Sequence, residues 1–220
     1  KKPPNLNIFS MKNVINFTCI VLFMTCSYLV NAQIPEKEKQ YLIDFNNSTV
    51  GEQWQRKWDL KSDPATWHGV EVANGHVVGL KLYRNNLTGA IPDGISALSH
   101  LKSLNLAFNV IEGELPKDLF SLQKLSSLRL EMNKISGTLP QDFSKMAALE
   151  ELSMFNNLFQ GEIPDGIGAI SNLKTLNLSS NYLEGSLPKS LEKLEKLERL
   201  ELFRNKLAGA IEVDLGRLVN

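Results

Sequence analysis

Apolar and polar positions recur in one pattern every 24 residues over the C-terminal two thirds of this chain. Each copy reads L-x-x-L-x-L-x-x-N-x-L-x-G-x-[IL]-P, with a Pro in the first five copies and Glu212 in the sixth. The copies begin at Val77, Leu101, Leu125, Leu149, Leu173 and Leu197. This spacing predicts six structural repeats over 77–220.

Each copy predicts one short strand and a tight turn. The L-x-L segment, as in Leu104-Asn105-Leu106, has the period of two that is typical of a strand with one buried face. One such strand cannot bury its apolar side alone, so neighbouring repeats must stack into a parallel sheet. Gly permits the bend that follows, and Pro fixes its exit. The in-register asparagines are expected to bond the backbone of that turn, and they are Asn85, Asn109, Asn133, Asn157, Asn181 and Asn205.

This frame resembles the plant-type leucine-rich repeat of receptor-like kinase ectodomains, polygalacturonase-inhibiting proteins and secreted bacterial proteins. The resemblance covers 77–220. It implies an α/β solenoid, a right-handed superhelix with a parallel sheet on the concave side and short 3-10 or irregular segments on the convex side. It also implies that the concave face binds a protein, a peptide or a glycan.

Residues 33–76 resemble the N-terminal cap of that family. The family motif C-x-W-x-G-V-x-C corresponds to 65–72, where Ala65 and Val72 replace both cysteines. The paired replacement implies a cap without its disulfide. Together with the N-terminal signal sequence and the Asn74-Gly75 turn, it resembles the bacterial members of the family more than the plant ones.

The residues of this cap also predict its elements. Segment 35–45 has the pattern of a short amphipathic helix, and 70–78 predicts a hairpin that turns at Asn74-Gly75. Trp54, Trp58 and Trp67 are expected to cover the apolar end of the first repeat, so Trp67 is interpreted as a structural residue.

Residues 1–32 have the organisation of a secretory signal peptide behind a short upstream stretch. Lys12 gives a basic start, 17–30 is apolar, and Ala32 is the expected last residue before cleavage. The apolar segment has 14 residues, whereas a membrane helix needs about 20, so a membrane anchor is the less favoured alternative. The pattern predicts a protein that is secreted or displayed at the cell surface, with no membrane span in the mature chain.

Composition then narrows the possible chemistry. Cys19 and Cys26 are the only cysteines and both precede Gln33, so the mature chain would have no thiol nucleophile and no zinc-thiolate site. The whole chain has 24 basic and 24 acidic residues; three basic residues precede Gln33, which leaves 21 against 24. A net charge of −3 does not suit a nucleic-acid-binding surface.

The strand-face positions that the framework leaves open are the candidate binding positions. Family members usually carry Ser just after the second strand leucine, but here only Ser179 does, and three of the six residues are aromatic. Exposed apolar patches often mark interaction sites, and aromatic and Arg residues dominate binding hot spots. The alternative is that each ring merely stacks on its neighbour along the sheet. The candidate partner-binding residues are Tyr83, Arg84, Phe108, Arg129, Glu131, Met132, Phe155, Asn156, Phe203 and Arg204.

No catalytic or metal site is predicted. His68, His76 and His100 show no metal-ligand spacing and are interpreted as isolated surface residues. The Asp residues that follow the Pro positions recur at the repeat period, which is typical of turns rather than of acid/base pairs. We expect no cofactor.

The sequence therefore predicts a non-catalytic extracellular recognition module. Two alternatives remain open: an inhibitor of a secreted enzyme, or the sensor fragment of a longer surface receptor or enzyme. The sixth repeat closes at Asn220 without a polar C-terminal cap, and stacked repeats need such a cap to stay soluble. Further repeats or a cap are therefore expected beyond Asn220.

Overall fold

The protein is an α/β solenoid of stacked repeats, as the sequence predicts. The computed structural model describes residues 33–209 and 213–214. The predicted signal peptide and the end of the sixth predicted repeat lie outside the described residues. Two sheets run along the stack, and short 3-10 segments connect them.

The main sheet has seven strands, which follow one another in space in the order of the chain. The first two form the antiparallel hairpin, and each later strand lies parallel to the one before it. Paired residues in the parallel part are 24 apart, as in Leu104 opposite Leu128, so equivalent positions of successive repeats line up as columns. The strands are Val70–Ala73, His76–Lys81, Ser103–Asn105, Ser127–Arg129, Glu151–Ser153, Thr175–Asn177 and Arg199–Glu201.

The structure contains a second parallel sheet, which the sequence analysis did not predict. Its strands follow the in-register asparagines of the repeats, called the frame asparagines below. Its partners are 22 residues apart, as in Glu112 opposite Lys134, so each strand is displaced by two residues relative to the repeat. Five of the six frame glycines, interpreted as turn residues, belong to these strands; Gly137 has a φ of 89°, which favours Gly. The strands are Thr88–Gly89, Val110–Glu114, Lys134–Thr138, Leu158–Glu162, Tyr182–Gly185 and Lys206–Leu207.

The return path of each of the first five repeats is a 3-10 segment, in agreement with the expected solenoid. Pro116, Pro164 and Pro188 stand immediately before three of them in extended conformation, because the ring fixes φ and positions the chain to enter the turn. The segments within the repeats are Ile95–Ala97, Lys117–Ser121, Ser144–Met146, Asp165–Ala169 and Lys189–Lys193.

The core is a continuous column of aliphatic side chains between the two sheets and the 3-10 segments. The strand leucines Leu104, Leu128, Leu152 and Leu176 are fully buried, as the alternation predicts. Burying each such side chain contributes roughly 1.5–3 kcal/mol. Because each leucine packs against its equivalent in the next repeat, the core extends without a break along the stack.

The frame asparagines join each repeat to the one before it. Asn133 Oδ1 accepts from the Ile111 N–H at 3.0 Å, and Nδ2 donates to the Leu106 and Leu130 carbonyls, each at 3.0 Å. Ile111 and Leu106 belong to the preceding repeat, so these bonds cross between repeats as well as within one turn. Asn109, Asn157, Asn181 and Asn205 form equivalent sets.

The N-terminal segment packs on the first repeat. Its helix, α1, spans Glu36–Ser48, three residues longer at its C-terminal end than predicted, and the Thr49 hydroxyl donates to the Phe45 carbonyl at 2.6 Å where the helix ends. Ser48 donates to the Ala90 carbonyl at 2.6 Å, and Asn85 accepts from the Arg56 N–H at 2.7 Å. These bonds connect the segment to the first repeat.

The three tryptophans are buried within this segment. Trp54 and Trp58 meet edge to face with ring centroids 4.9 Å apart, and Trp58 and Trp67 stack at 4.8 Å. Each indole N–H donates to a backbone carbonyl, so the polar atom of each ring has a partner. The contacts support the expectation that these rings serve packing.

We expect Asn133→Ala to lower the free energy of unfolding by about 1–3 kcal/mol. The substitution leaves the buried Ile111 N–H without an acceptor, which costs about 1–3 kcal/mol, whereas the Leu106 and Leu130 carbonyls each keep a second donor, from Asn109 and Asn157. Urea unfolding measures the change. Asn47→Ala, at an exposed position of α1, is the control and should change the value by less than about 0.5 kcal/mol. Equal effects of the two substitutions would contradict the structural role of Asn133.

Candidate functional site

The candidate site is the outward face of the main sheet together with the residues that end its strands. Within the strand Ser127–Arg129, alternation holds: Leu128 is buried, and Ser127 and Arg129 on either side of it are partly exposed. Beyond the strands it fails. Ala107, Glu131 and Ser179, expected on the open face, are 0%, 1% and 1% exposed.

The residues just before the frame asparagines share a left-handed backbone. Arg84, Phe108, Met132, Asn156, Ser180 and Arg204 have φ between 49° and 60°. This conformation costs L-residues other than Gly about 1–2 kcal/mol, and Asn tolerates it best. Only Asn156 in this column is an Asn, so large side chains occupy positions where the backbone disfavours them.

Backbone hydrogen bonds keep these residues in place. The Phe108 N–H donates to the Glu131 carbonyl and the Met132 N–H donates to the Phe155 carbonyl, both at 2.9 Å. At each of these residues the chain therefore leaves the strand with the same backbone conformation, and the side chains lie at the edge of the main sheet.

Three of the predicted residues form an aromatic and cationic cluster, which we call the Tyr83 cluster: Tyr83, Arg84 and Phe108. The two rings meet edge to face with centroids 5.2 Å apart. The Arg84 guanidinium carbon lies 5.3 Å from the Tyr83 centroid and 5.0 Å from the Phe108 centroid, within cation–π range. Ring stacking, the predicted alternative, thus occurs here, yet Tyr83 remains 43% exposed.

The other apolar candidates continue along the same edge. Met132 is at the border of exposure, Phe155 is half-buried, and Phe203 is 59% exposed, the most of any large apolar side chain among the described residues. Asn156 and Arg204 are exposed. The structure therefore places large side chains at several successive repeats on one edge of one sheet.

Glu131 is a correction to the predicted open face. Its carboxylate is buried, and Oε1 accepts from Arg129 Nε at 3.0 Å and from Nη2 at 2.6 Å. Within the described part of the chain, Oε2 has no hydrogen-bond partner. The Glu131 side chain lies beneath the face after the strand has ended, which leaves Arg129 at the surface.

Arg129 joins Glu131 to a neighbouring strand. Its Nε lies 3.7 Å from Glu151 Oε1, and Glu151 Oε2 accepts from the Ser127 hydroxyl at 2.8 Å. Burial alone would lower the pKa of Arg129, but the hydrogen bond to Glu131 and the charges of Glu131 and Glu151 raise this pKa above its usual value. The guanidinium is therefore a fixed positive charge in the centre of the face.

Two of the three histidines are not isolated, contrary to the sequence interpretation. The rings of His76 and His100 stack with centroids 3.8 Å apart, and His76 Nδ1 lies 2.7 Å from Oε1 of the buried Glu38. The two residues are 24 apart, the repeat length, so the repeat itself brings them together. Desolvation and the charges of His76, Lys124 and Lys37 lower the pKa of His100, with Glu38 acting in the opposite direction.

The comparisons with known proteins agree with this architecture. The model of the family described as leucine-rich repeat region matches residues 76–214. No curated protein matches the chain. None of the helices within 33–209 and 213–214 is long and apolar enough to cross a membrane.

Solved receptor structures are similar to this chain. PEPR1, from the PEPR1-AtPEP1 structure, is 25% identical with a TM-score of 0.75, and the match covers 84% of this chain and 27% of that one. The Arabidopsis receptor kinase HAESA, solved with the peptide hormone IDA and the co-receptor SERK1, is 28% identical with a TM-score of 0.74. That match covers 84% of this chain and 32% of HAESA. The SOBIR1 leucine-rich repeat ectodomain from Arabidopsis thaliana is 24% identical with a TM-score of 0.70, and the match covers 80% of this chain and 98% of that one. At this identity, the similarity shows the fold alone. The chain thus spans about a third or less of PEPR1 and HAESA.

We expect Met132→Asn to raise the free energy of unfolding by about 1 kcal/mol, because Asn tolerates the left-handed backbone at this exposed position better than Met does. Urea unfolding measures the gain. Met132→Leu keeps both the apolar character and the backbone cost, so it should give no gain. If Asn gives no more stability than Leu, backbone conformation is not what distinguishes this column.

Proposed function

The chain belongs to the leucine-rich repeat family, and we propose that it is a non-catalytic extracellular recognition module that binds a peptide segment along the edge of its main sheet. The Tyr83 cluster carries this proposal. Two rings and a guanidinium remain partly exposed there, although nothing in the packing of the sheet requires them. Aromatic and Arg side chains supply much of the energy of binding interfaces.

The backbone of the same column supports the proposal. Phe108 and Met132 occupy left-handed positions that cost stability relative to Asn. Side chains that are unfavourable for folding and partly exposed are more readily explained by contact with a partner than by a contribution to the core.

The shape of the face suits an extended ligand. Equivalent positions recur at each strand, about 4.8 Å apart, so a peptide that crosses the strands meets one residue of the column at each step. HAESA, whose match covers 84% of the present chain, was solved in complex with a peptide hormone. This similarity and the exposed aromatic residues at the edge of the main sheet are the reasons for proposing a peptide ligand for this chain.

The charged groups of the face support a binding role rather than a catalytic one. Arg129 is held by Glu131 and Glu151, and Glu201 accepts from the Asn177 amide at 2.6 Å. These groups are engaged with one another and are placed to fix the orientation of a ligand. The predicted signal peptide and the similarity to receptor ectodomains support an extracellular location.

A displayed library of random peptides, selected on the immobilised chain, tests the proposal. We expect selected peptides to lose at least about tenfold in affinity for the triple variant Tyr83→Ser, Arg84→Ser, Phe108→Ser, since hot-spot residues are removed. Affinity is measured by titration of each synthetic peptide.

The second sheet offers a matched control. Tyr182 and Lys206 form a cation–π pair at 5.4 Å there, with chemistry like that of the Tyr83 cluster. Tyr182→Ser with Lys206→Ser should leave peptide affinity unchanged. Peptides that bind the triple variant as well as the original chain, or that lose affinity only with the second-sheet control, would sink the proposal. Selection that enriches no peptide, with glycans bound instead, would overturn the peptide ligand.

A further inference from the structure

The His76 and His100 pair lies away from the candidate binding face, at the junction of three parts of the chain. Glu38 is in α1, His76 begins the second hairpin strand, and His100 precedes the strand of the next repeat. The ligand atoms of these three residues all lie within 4.8 Å of one another. Both imidazoles are partly exposed, so an ion from solvent can reach them.

The buried carboxylate fixes the orientation of the first imidazole. Glu38 Oε2 accepts from the Val77 N–H at 2.7 Å, and Oε1 lies 2.7 Å from His76 Nδ1. In the tautomer that donates from Nδ1 to this carboxylate, Nε2 of the neutral imidazole keeps its lone pair for a metal ion. A carboxylate that orients a ligating histidine in this manner is the usual support of a metal-bound imidazole.

The second imidazole is close enough to complete a two-histidine site. Two nitrogens bound to one tetrahedral zinc ion at 2.0–2.1 Å lie about 3.4 Å apart, and the two imidazole rings here have centroids 3.8 Å apart. The stacked rings must turn out of parallel for both lone pairs to face one ion. His100 is partly exposed and reaches this position by rotation of its side chain.

The charges around the pair both help and oppose a cation. Glu38 contributes a buried negative charge, whereas Lys37 and Lys124 place positive charge near His100. Imidazole nitrogen suits zinc, copper and nickel, whereas calcium and magnesium prefer oxygen ligands. The donor set therefore selects a transition metal.

We propose that His76 and His100 bind one divalent transition metal ion, such as Zn²⁺, with Glu38 as the positioning residue for His76. The remaining coordination positions are taken by water or by a group from a partner. Metal binding would join α1, the hairpin and the next repeat at one point and so stabilise the N-terminal end of the solenoid.

Titration of ZnCl₂ into the chain, purified without a polyhistidine tag, tests the site by calorimetry. We expect one ion per chain, and a loss of at least about tenfold in affinity for His76→Gln and for His100→Gln. Zn²⁺ should also raise the midpoint of thermal unfolding of the original chain but not that of His100→Gln. His68→Gln, which removes a histidine outside the cluster, should change neither result.

The role of Glu38 is tested in two ways. Glu38→Gln, checked for folding by circular dichroism, should weaken Zn²⁺ binding about 10–100-fold. The second test transplants the histidine pair. Asn172→His and Lys196→His, introduced together into a chain that also carries His76→Gln, place two histidines at the repeat positions of His76 and His100, but without a buried carboxylate beside them. This transplanted pair should bind Zn²⁺ at least about tenfold more weakly than the native pair.

Several outcomes would overturn the proposal. Absence of Zn²⁺ binding, or unchanged binding by His100→Gln, would show that the rings only stack. Calcium binding equal to that of zinc would show a carboxylate surface instead of an imidazole site. Equal affinity of the transplanted pair would remove the positioning role of Glu38.

Discussion

The asparagine at the end of each main-sheet strand is the constraint on which the rest of this structure depends. A strand of three residues is too short to hold its neighbours by its own ladder alone. Each asparagine adds an acceptor for the preceding repeat and donors for two carbonyls, one in each repeat. Since these groups are buried, losing them costs more than a surface hydrogen bond contributes. The stack therefore has one permitted register.

That register alone brings side chains from distant parts of the sequence next to one another. Residues 24 apart become neighbours on the main sheet, which brings Tyr83 and Phe108, 25 apart, into edge-to-face contact across adjacent repeats. It also stacks His76 on His100. Function in such a fold depends on which residue stands at each repeat position, because the backbone treats every repeat alike. The second sheet, with partners 22 apart, turns a different set of residues outward.

The fold could be predicted from the sequence because its cause is periodic: the strands, the buried leucines and the role of the asparagines follow from the repeated pattern. The second sheet could not, because its glycines are equally typical of turns. The exposure of Glu131 was predicted wrongly, since alternation holds only within the strand, which ends at Arg129. The histidine pair was missed although its spacing equals the repeat length. Contact with Glu38, in contrast, depends on how α1 packs, and no pattern in the chain indicates it.

The asparagine bonds between repeats hold the register that both surfaces need. Hydrogen exchange of the Ile111, Ile135 and Phe159 amides, which donate to the asparagine of the following repeat, measures this most directly. We expect these three amides to exchange only when the stack itself opens, with similar and high protection. Exchange as fast as that of exposed turn amides would contradict the account.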